Sequence, residues 1–171
     1  MIDAIPPEFL SQMADLTSHR IEGITILGDA RFDCPIVTQV DGNLWQGGCP
    51  EWGLPAYFRY VLNLYPWVKY GVDAGTTVLK VEMFDSNDPD RIDRPRLESL
   101  ADWVNEKRLL GPTLVHCQAG LNRSALVTGL ALIRSGMAAD DAIQMLRAKR
   151  SPAVLVNATF EAWLRAYDRA A

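Results

Sequence analysis

The segment TLVHCQAGLNRSALVTGLALIRSG, residues 113–136, constrains this chain more than any other. Its first four residues are apolar enough for a short buried strand, the next six form a tight polar loop, and the rest is apolar at nearly every position. That last run predicts a buried helix from about Arg123 to Ser135, stopped by Gly136. A strand that feeds a helix through a tight loop aims the loop amides and the helix N-terminus at one point. Such a point suits an anion.

Five residues, Gln118, Ala119, Gly120, Leu121 and Asn122, separate Cys117 from Arg123. They are enough for a loop to wrap a tetrahedral oxyanion such as phosphate, and Gly120 supplies the permissive backbone such a turn requires. A helix N-terminus and a nearby cation both favour thiolate over thiol, which makes Cys117 a candidate nucleophile. Arg123 offers a planar fork that can hold two oxygens of a phosphoryl group. Ser124 has two readings, a hydroxyl bonded to the sulfur or a helix-start cap. His116 ends the strand, so its side chain is expected to point away from the anion and to shape the loop. The competing reading is an inert core cysteine beside a surface arginine, and it leaves the grouping of these residues unexplained.

The rest of the chain fits one unit. With 171 residues, 49% hydrophobic and 22% charged, it is read as a single domain, 1–171, with a short N-terminal lead-in at about 1–20. GITILGDA and PIVTQVDGNLWQGG are read as early strands, the second turning at Asp41–Gly42, followed by strands in YFRYVLNLY and TTVLKVEMF. RPRLESLADWVNEKRLLG places Leu97, Leu100, Ala101, Val104 and Leu109 near helical spacing, and two further helices follow in AADDAIQMLRAKR and NATFEAWLRAYDRA, the latter N-capped by Asn157. Strands early and helices late give an α/β fold, a central mixed, largely parallel sheet flanked by helices in three layers.

Charge and cysteine usage narrow the function. A net charge of −4 gives no bulk attraction for nucleic acid. No stretch is long and apolar enough to span a membrane, and the N-terminus lacks a basic start with an apolar run, so a cytoplasmic protein is expected. Three cysteines are too few for a disulfide framework or a four-cysteine metal site. Cys34 and Cys49 are read as buried thiols rather than oxidation partners of Cys117. The five tryptophans are read as core and edge packing. Arg147, Lys149 and Arg150 are read as a solvated helix end, whereas Arg91 and Arg94, beside an acidic loop, are candidates for substrate contact.

Expelling an alkoxide or phenoxide from phosphorus needs a proton donor, and the loop at Cys117 contains none. The segment FDSNDPDRID offers Asp85, Asp88, Asp90 and Asp93. The last three fit turn and helix-start chemistry, with Asp88 the runner-up acid.

The motif H-C-x-x-G-x-x-R-S resembles the signature of the cysteine-based protein tyrosine phosphatases, and the chain resembles their compact dual-specificity branch over about residues 35–165. NLWQGG, YVLNL and VEMFD resemble that family's core strands, and the stretch from Arg134 to Leu164 its helical tail. The resemblance selects Asp85 as general acid and base and implies a phosphocysteine intermediate on Cys117, with no metal or organic cofactor. The implied substrates are phosphotyrosine and phosphoserine or phosphothreonine in proteins. A non-protein phosphate such as an RNA 5′ end, a phosphoinositide or a sugar phosphate is the alternative, as is a non-catalytic phosphate-binding module. The absence of lysine and arginine between Cys117 and Arg123 argues against a highly charged inositol phosphate. Oligomeric state stays open.

Overall fold

Asp41 and Gly42 turn the chain back on itself between β1, Val37–Asp41, and β2, Leu44–Gly47, which pair antiparallel. Gly42 lies at φ 51°, the left-handed region a tight hairpin turn asks of its central residues. Three more strands, β3 (Tyr60–Asn63), β4 (Thr77–Lys80) and β5 (Thr113–His116), complete a sheet of order β1-β2-β5-β3-β4. The computed structural model describes residues 35–50, 53–54 and 56–169. The expected strand GITILGDA, the lead-in, Cys34 and Trp52 lie outside the described residues.

Every pairing beyond the hairpin is parallel. Gly47, His116 and Asn63 stand side by side in register, so the chain leaves β2, β5 and β3 at one carboxyl edge. Open α/β sheets build their sites at such an edge.

Four helices follow among the described residues: α1 (Arg94–Leu110), α2 (Arg123–Arg134), α3 (Ala139–Lys149) and α4 (Ala158–Arg169). Alternation along the strands divides the core in two. Leu44, Leu62 and Val115 face the helices, while Trp45, Val61 and Leu114 face the other way and pack with Ile36, Val37 and Phe58. The sheet therefore lies between two apolar layers. Helix α2 is buried from Arg123 through Ile133, because it runs between the sheet and the other helices. None of the helices is long and apolar enough to cross a membrane, among the described residues.

Helix α1 buries Leu97, Leu100, Ala101 and Val104, as their spacing predicts, but not Leu109, which is 83% exposed. A 3.6-residue repeat carries that face on to position 108. Arg108 stands there, pairing with Asp41 at 3.3 Å. The start of α1 follows its sequence signals closely: Asp93 caps it by accepting from Arg96 N–H at 3.1 Å, and Pro95 sits in the first turn.

Candidate active site

Cys117 is the first residue beyond β5, 2% exposed, with its N–H donated to Gly47 O at 3.3 Å. From here the chain makes a loop whose backbone oxygens all find partners outside it. Gln118 O accepts from Cys49 N–H at 2.9 Å, and Ala119 O from Arg150 Nη2 at 3.2 Å. Gly120 O accepts from Gln46 Nε2 at 2.9 Å and from Arg150 Nε at 2.6 Å, and Leu121 O from Leu155 N–H at 2.9 Å. In a planar trans peptide the N–H points opposite to the C=O. Four carbonyls held outward therefore turn the amides of residues 119–122 inward. One of them closes on the sulfur, Gly120 N–H donating to Cys117 Sγ at 3.3 Å.

Gly120 has φ +73°. A Cβ there would lie 2.3 Å from the carbonyl carbon of Gly47 and 2.5 Å from Arg150 Nη2. Both backbone conformation and crowding thus demand glycine.

Ser124, fully buried in the first turn of α2, places its Oγ 3.4 Å from Cys117 Sγ. The sulfur-bonding reading of this serine is the one the geometry displays. Arg123 is 7% exposed, its Nη1 donating to Met83 O at 3.1 Å and its guanidinium carbon 5.3 Å from the centroid of the Tyr65 ring. Its Nε–H is buried with no partner among the described residues. An unsatisfied buried donor costs about 1–3 kcal/mol, so this N–H is poised for an acceptor.

His116 turns away from the loop interior, as expected from its place on the strand. Nδ1 lies 3.2 Å from Cys117 O, which can only accept, so Nδ1 carries the proton. In the neutral ring Nε2 then accepts from Tyr70 OH at 2.5 Å. Burial above all, with a contribution from Cys49, holds the Tyr70 phenol well above its ordinary range, against a smaller opposite effect from Asn63. Tyr70 therefore stays protonated and able to donate.

Asp85 stands on the loop after β4, exposed to solvent, yet both its oxygens are held. Asn122 Nδ2 donates to Oδ2 at 2.9 Å and Asn157 Nδ2 to Oδ1 at 2.8 Å. Asn122 Oδ1 in turn accepts from Asn157 N–H at 3.0 Å. Arg123 reaches the same loop through Met83. The sulfur's loop, the acid loop and the start of α4 thus form one hydrogen-bonded unit. Asp88 lies outside it: it caps a 3₁₀ turn at Pro89–Arg91, accepting from Asp90 N–H at 3.0 Å.

A family model described as "Dual specificity phosphatase, catalytic domain" matches residues 56–170. The chain belongs to the dual specificity phosphatase family. Human protein tyrosine phosphatase type IVA 3 is 55% identical over 40 residues, 23% of each chain, so the match spans about a quarter of that relative's length. A mouse putative dual specificity phosphatase, crystallised with zinc tungstate, superposes with a TM-score of 0.68 at 27% identity, covering 85% of this chain and 94% of that one. Human DUSP28 gives 0.67 at 26% identity, covering 80% and 95%.

Within this phosphatase fold several residues take places their sequence context did not announce. Arg150 is not a solvated helix end: it is 5% exposed and donates to Gly120 O, Ala119 O, Pro35 O at 2.9 Å and Thr38 Oγ1 at 3.1 Å. Its position just past α3 puts it beneath the loop, and the outward carbonyls there supply what a buried guanidinium needs. Arg147 likewise turns inward, donating to Val154 O at 3.1 Å and pairing with Glu161 at 2.6 Å. Arg94, expected at the substrate, is held instead by Glu98 at 2.9 Å and lies over the Tyr167 ring at 4.7 Å. That pairing holds the Glu98 carboxyl below its usual range. Arg91 pairs with Asp88 at 3.7 Å on the surface. Asn157 does cap α4, its Oδ1 accepting from Thr159 and Phe160 N–H at 3.1 and 3.2 Å. Its amide nitrogen is then free to reach Asp85, which the capping signal alone does not reveal. Cys49 is fully buried, as expected.

Proposed function

We propose that this chain is a cysteine-dependent phosphatase that hydrolyses phosphomonoesters, with phosphotyrosine and phosphoserine or phosphothreonine in proteins as its substrates. The observation that carries the reading is one site combining a sulfur among inward amides, an arginine N–H awaiting an acceptor, and a carboxylate tied to the sulfur's loop through Asn122. A phosphate-binding module needs the amides and the arginine. It needs neither the thiol nor the acid.

In the proposed cycle, phosphate oxygens accept from the inward amides of residues 119–122 and from Arg123, whose fork follows the charge as it spreads over the phosphoryl group. Cys117 Sγ attacks phosphorus, the S–P bond forms and the P–O ester bond breaks. Asp85 delivers its proton to the departing oxygen. Asp85, now ionised, takes a proton from water as the water attacks phosphorus. The S–P bond breaks, and Ser124 Oγ–H stabilises the thiolate that leaves. Asn122 and Asn157 each occupy one acceptor position on Asp85, and each carboxylate oxygen has a second. They orient the acid without blocking it.

The test is hydrolysis of a small aryl phosphate by the unaltered protein, in excess chelator, beside Cys117→Ser. The reading predicts turnover that ignores the chelator and is lost with the sulfur, while inorganic phosphate still binds the variant. Turnover that persists in Cys117→Ser, or that requires added divalent metal, contradicts it.

A further inference from the structure

The loop between β3 and β4 encloses a chamber against the sheet face that points away from the helices. Val61, Leu114 and Val78 pack on that face, and alternation along the strands turns Asn63, His116 and Lys80 the same way. The chamber holds about 450 Å³, within the range of about 300–1,000 Å³ usual for small-molecule sites. Val68, Val72 and Val78 give it apolar walls, and Lys69 and Lys80 bring two cations. No carboxylate lines it, and neither lysine pairs with an acid among the described residues. Asp73, the one acid on that loop, accepts instead from Gly75 N–H at 2.9 Å. In a chain of net charge −4, two unpaired ammonium groups over an apolar recess form a local attraction for an anion with an apolar body. No residue from Cys117 to Ser124 lines the chamber, nor does Asp85. One wall is nevertheless shared with the catalytic loop. Tyr70 lines the chamber and donates to His116 Nε2 at 2.5 Å, while His116 Nδ1–H donates to Cys117 O at 3.2 Å.

The geometry points to this chamber as a second binding site, for a small organic oxyanion that acts on the catalytic loop through Tyr70. Its ligand is a carboxylate or phosphate head on a compact apolar body. The effect on turnover rests on the phosphatase reading above. The head sits with Lys69 and Lys80, and the body lies against the valines and the Tyr70 ring. A tyrosine hydroxyl has one proton to donate, and here His116 receives it. An occupant that shifts Tyr70 or draws that proton leaves Nε2 without its donor and loosens the hold of Nδ1–H on Cys117 O. Substrate phosphate still meets the loop amides and Arg123. The occupant therefore lowers kcat and leaves KM little changed.

The experiment uses phenylacetate and phenylphosphonate as probes, one for each head. Calorimetry follows their binding, and steady-state hydrolysis of a small aryl phosphate follows their effect. Both are measured on the unaltered protein, on a variant carrying Lys69→Gln and Lys80→Gln together, and on Tyr70→Phe. Phenylphosphonate is expected to bind twice, at the catalytic loop and in the chamber, and phenylacetate in the chamber alone. The lysine substitutions are expected to weaken the chamber binding roughly tenfold or more and to leave basal turnover unchanged. Phenylacetate is expected to lower kcat of the unaltered protein about fivefold, and to lose that effect in Tyr70→Phe while still binding. Binding of neither probe outside the catalytic loop overturns the inference, as does chamber binding that ignores both lysines. Inhibition by phenylacetate that raises KM alone also overturns it, and inhibition undiminished in Tyr70→Phe overturns the coupling. If aryl phosphate is hydrolysed in a Cys117-dependent way and the lysines make no difference, this inference fails and the phosphatase reading stands. If phenylacetate binds through the lysines and no aryl phosphate is hydrolysed, the phosphatase reading fails and the second site stands without its effect on turnover.

Discussion

Asp85 meets two amide donors, one from the sulfur's own loop and one from the cap of α4, whereas Asp88 spends its carboxylate on a local turn. The difference predicts how each responds to substitution. A general acid matters most when the departing oxygen is basic, so Asp85→Asn is expected to cripple hydrolysis of alkyl phosphates while sparing a nitrophenyl phosphate, and to remove the limb of the pH–rate profile that reports the protonated acid. Asp88→Asn is expected to show neither effect. A leaving-group dependence appearing in Asp88→Asn instead would shift the acid by three positions. At this scale the sequence was most informative where chemistry and position coincided: Cys117, Gly120, Arg123 and Ser124 stand in the strand–loop–helix that their order predicts. It was least informative for Asn122 and Asn157. Their amides act across the fold, and a capping or loop signal reports only the bond an asparagine makes to its own neighbourhood.

The loop between β5 and α2 holds its shape because elements distant in sequence take up its outward carbonyls. Arg150, at the end of α3, supplies two of those bonds and also ties the loop to the start of β1. Replacing it with methionine keeps much of the stem and removes every donor. Arg150→Met is expected to lower unfolding free energy by on the order of 3 kcal/mol and to depress turnover further than the residual fold would explain, since carbonyls of residues 119 and 120 lose partners and the opposing amides lose their aim. Urea unfolding and steady-state rates on the same preparation check this. A loss of stability below about 0.5 kcal/mol would mean the loop stands without its clamp. Helices and strands were legible from periodicity because burial against a neighbour repeats along the element. Leu109 shows the limit: an apolar residue one position past the buried face is exposed, and apolarity alone does not mark the difference. The inward arginines show it from the other side, since a cation near a helix end reads as solvated until the carbonyls that bury it are known.

At the scale of the whole molecule, three strand ends in register bring the sulfur's loop, the hairpin end at Gly47 and the turn after β3 to one edge of the sheet, and the acid loop closes over that edge through Arg123 and the two asparagines. The order of strands before helices carried the α/β class into view from the sequence, and the hairpin signal carried the antiparallel pair. The place of β5 at the centre of the sheet was not legible, because it depends on which strands pair and not on what any one strand contains. In the proposed cycle phosphorus passes through sulfur. Rapid acid quench of the protein turning over a radiolabelled aryl phosphate, followed by proteolysis and mass analysis of the peptide bearing Cys117, tests it most directly. Label is expected covalently bound to Cys117, absent from Cys117→Ser, and accumulating in Asp85→Asn, in which the hydrolytic water loses its base. Turnover proceeding with no label on Cys117, or with label on another residue, would contradict it.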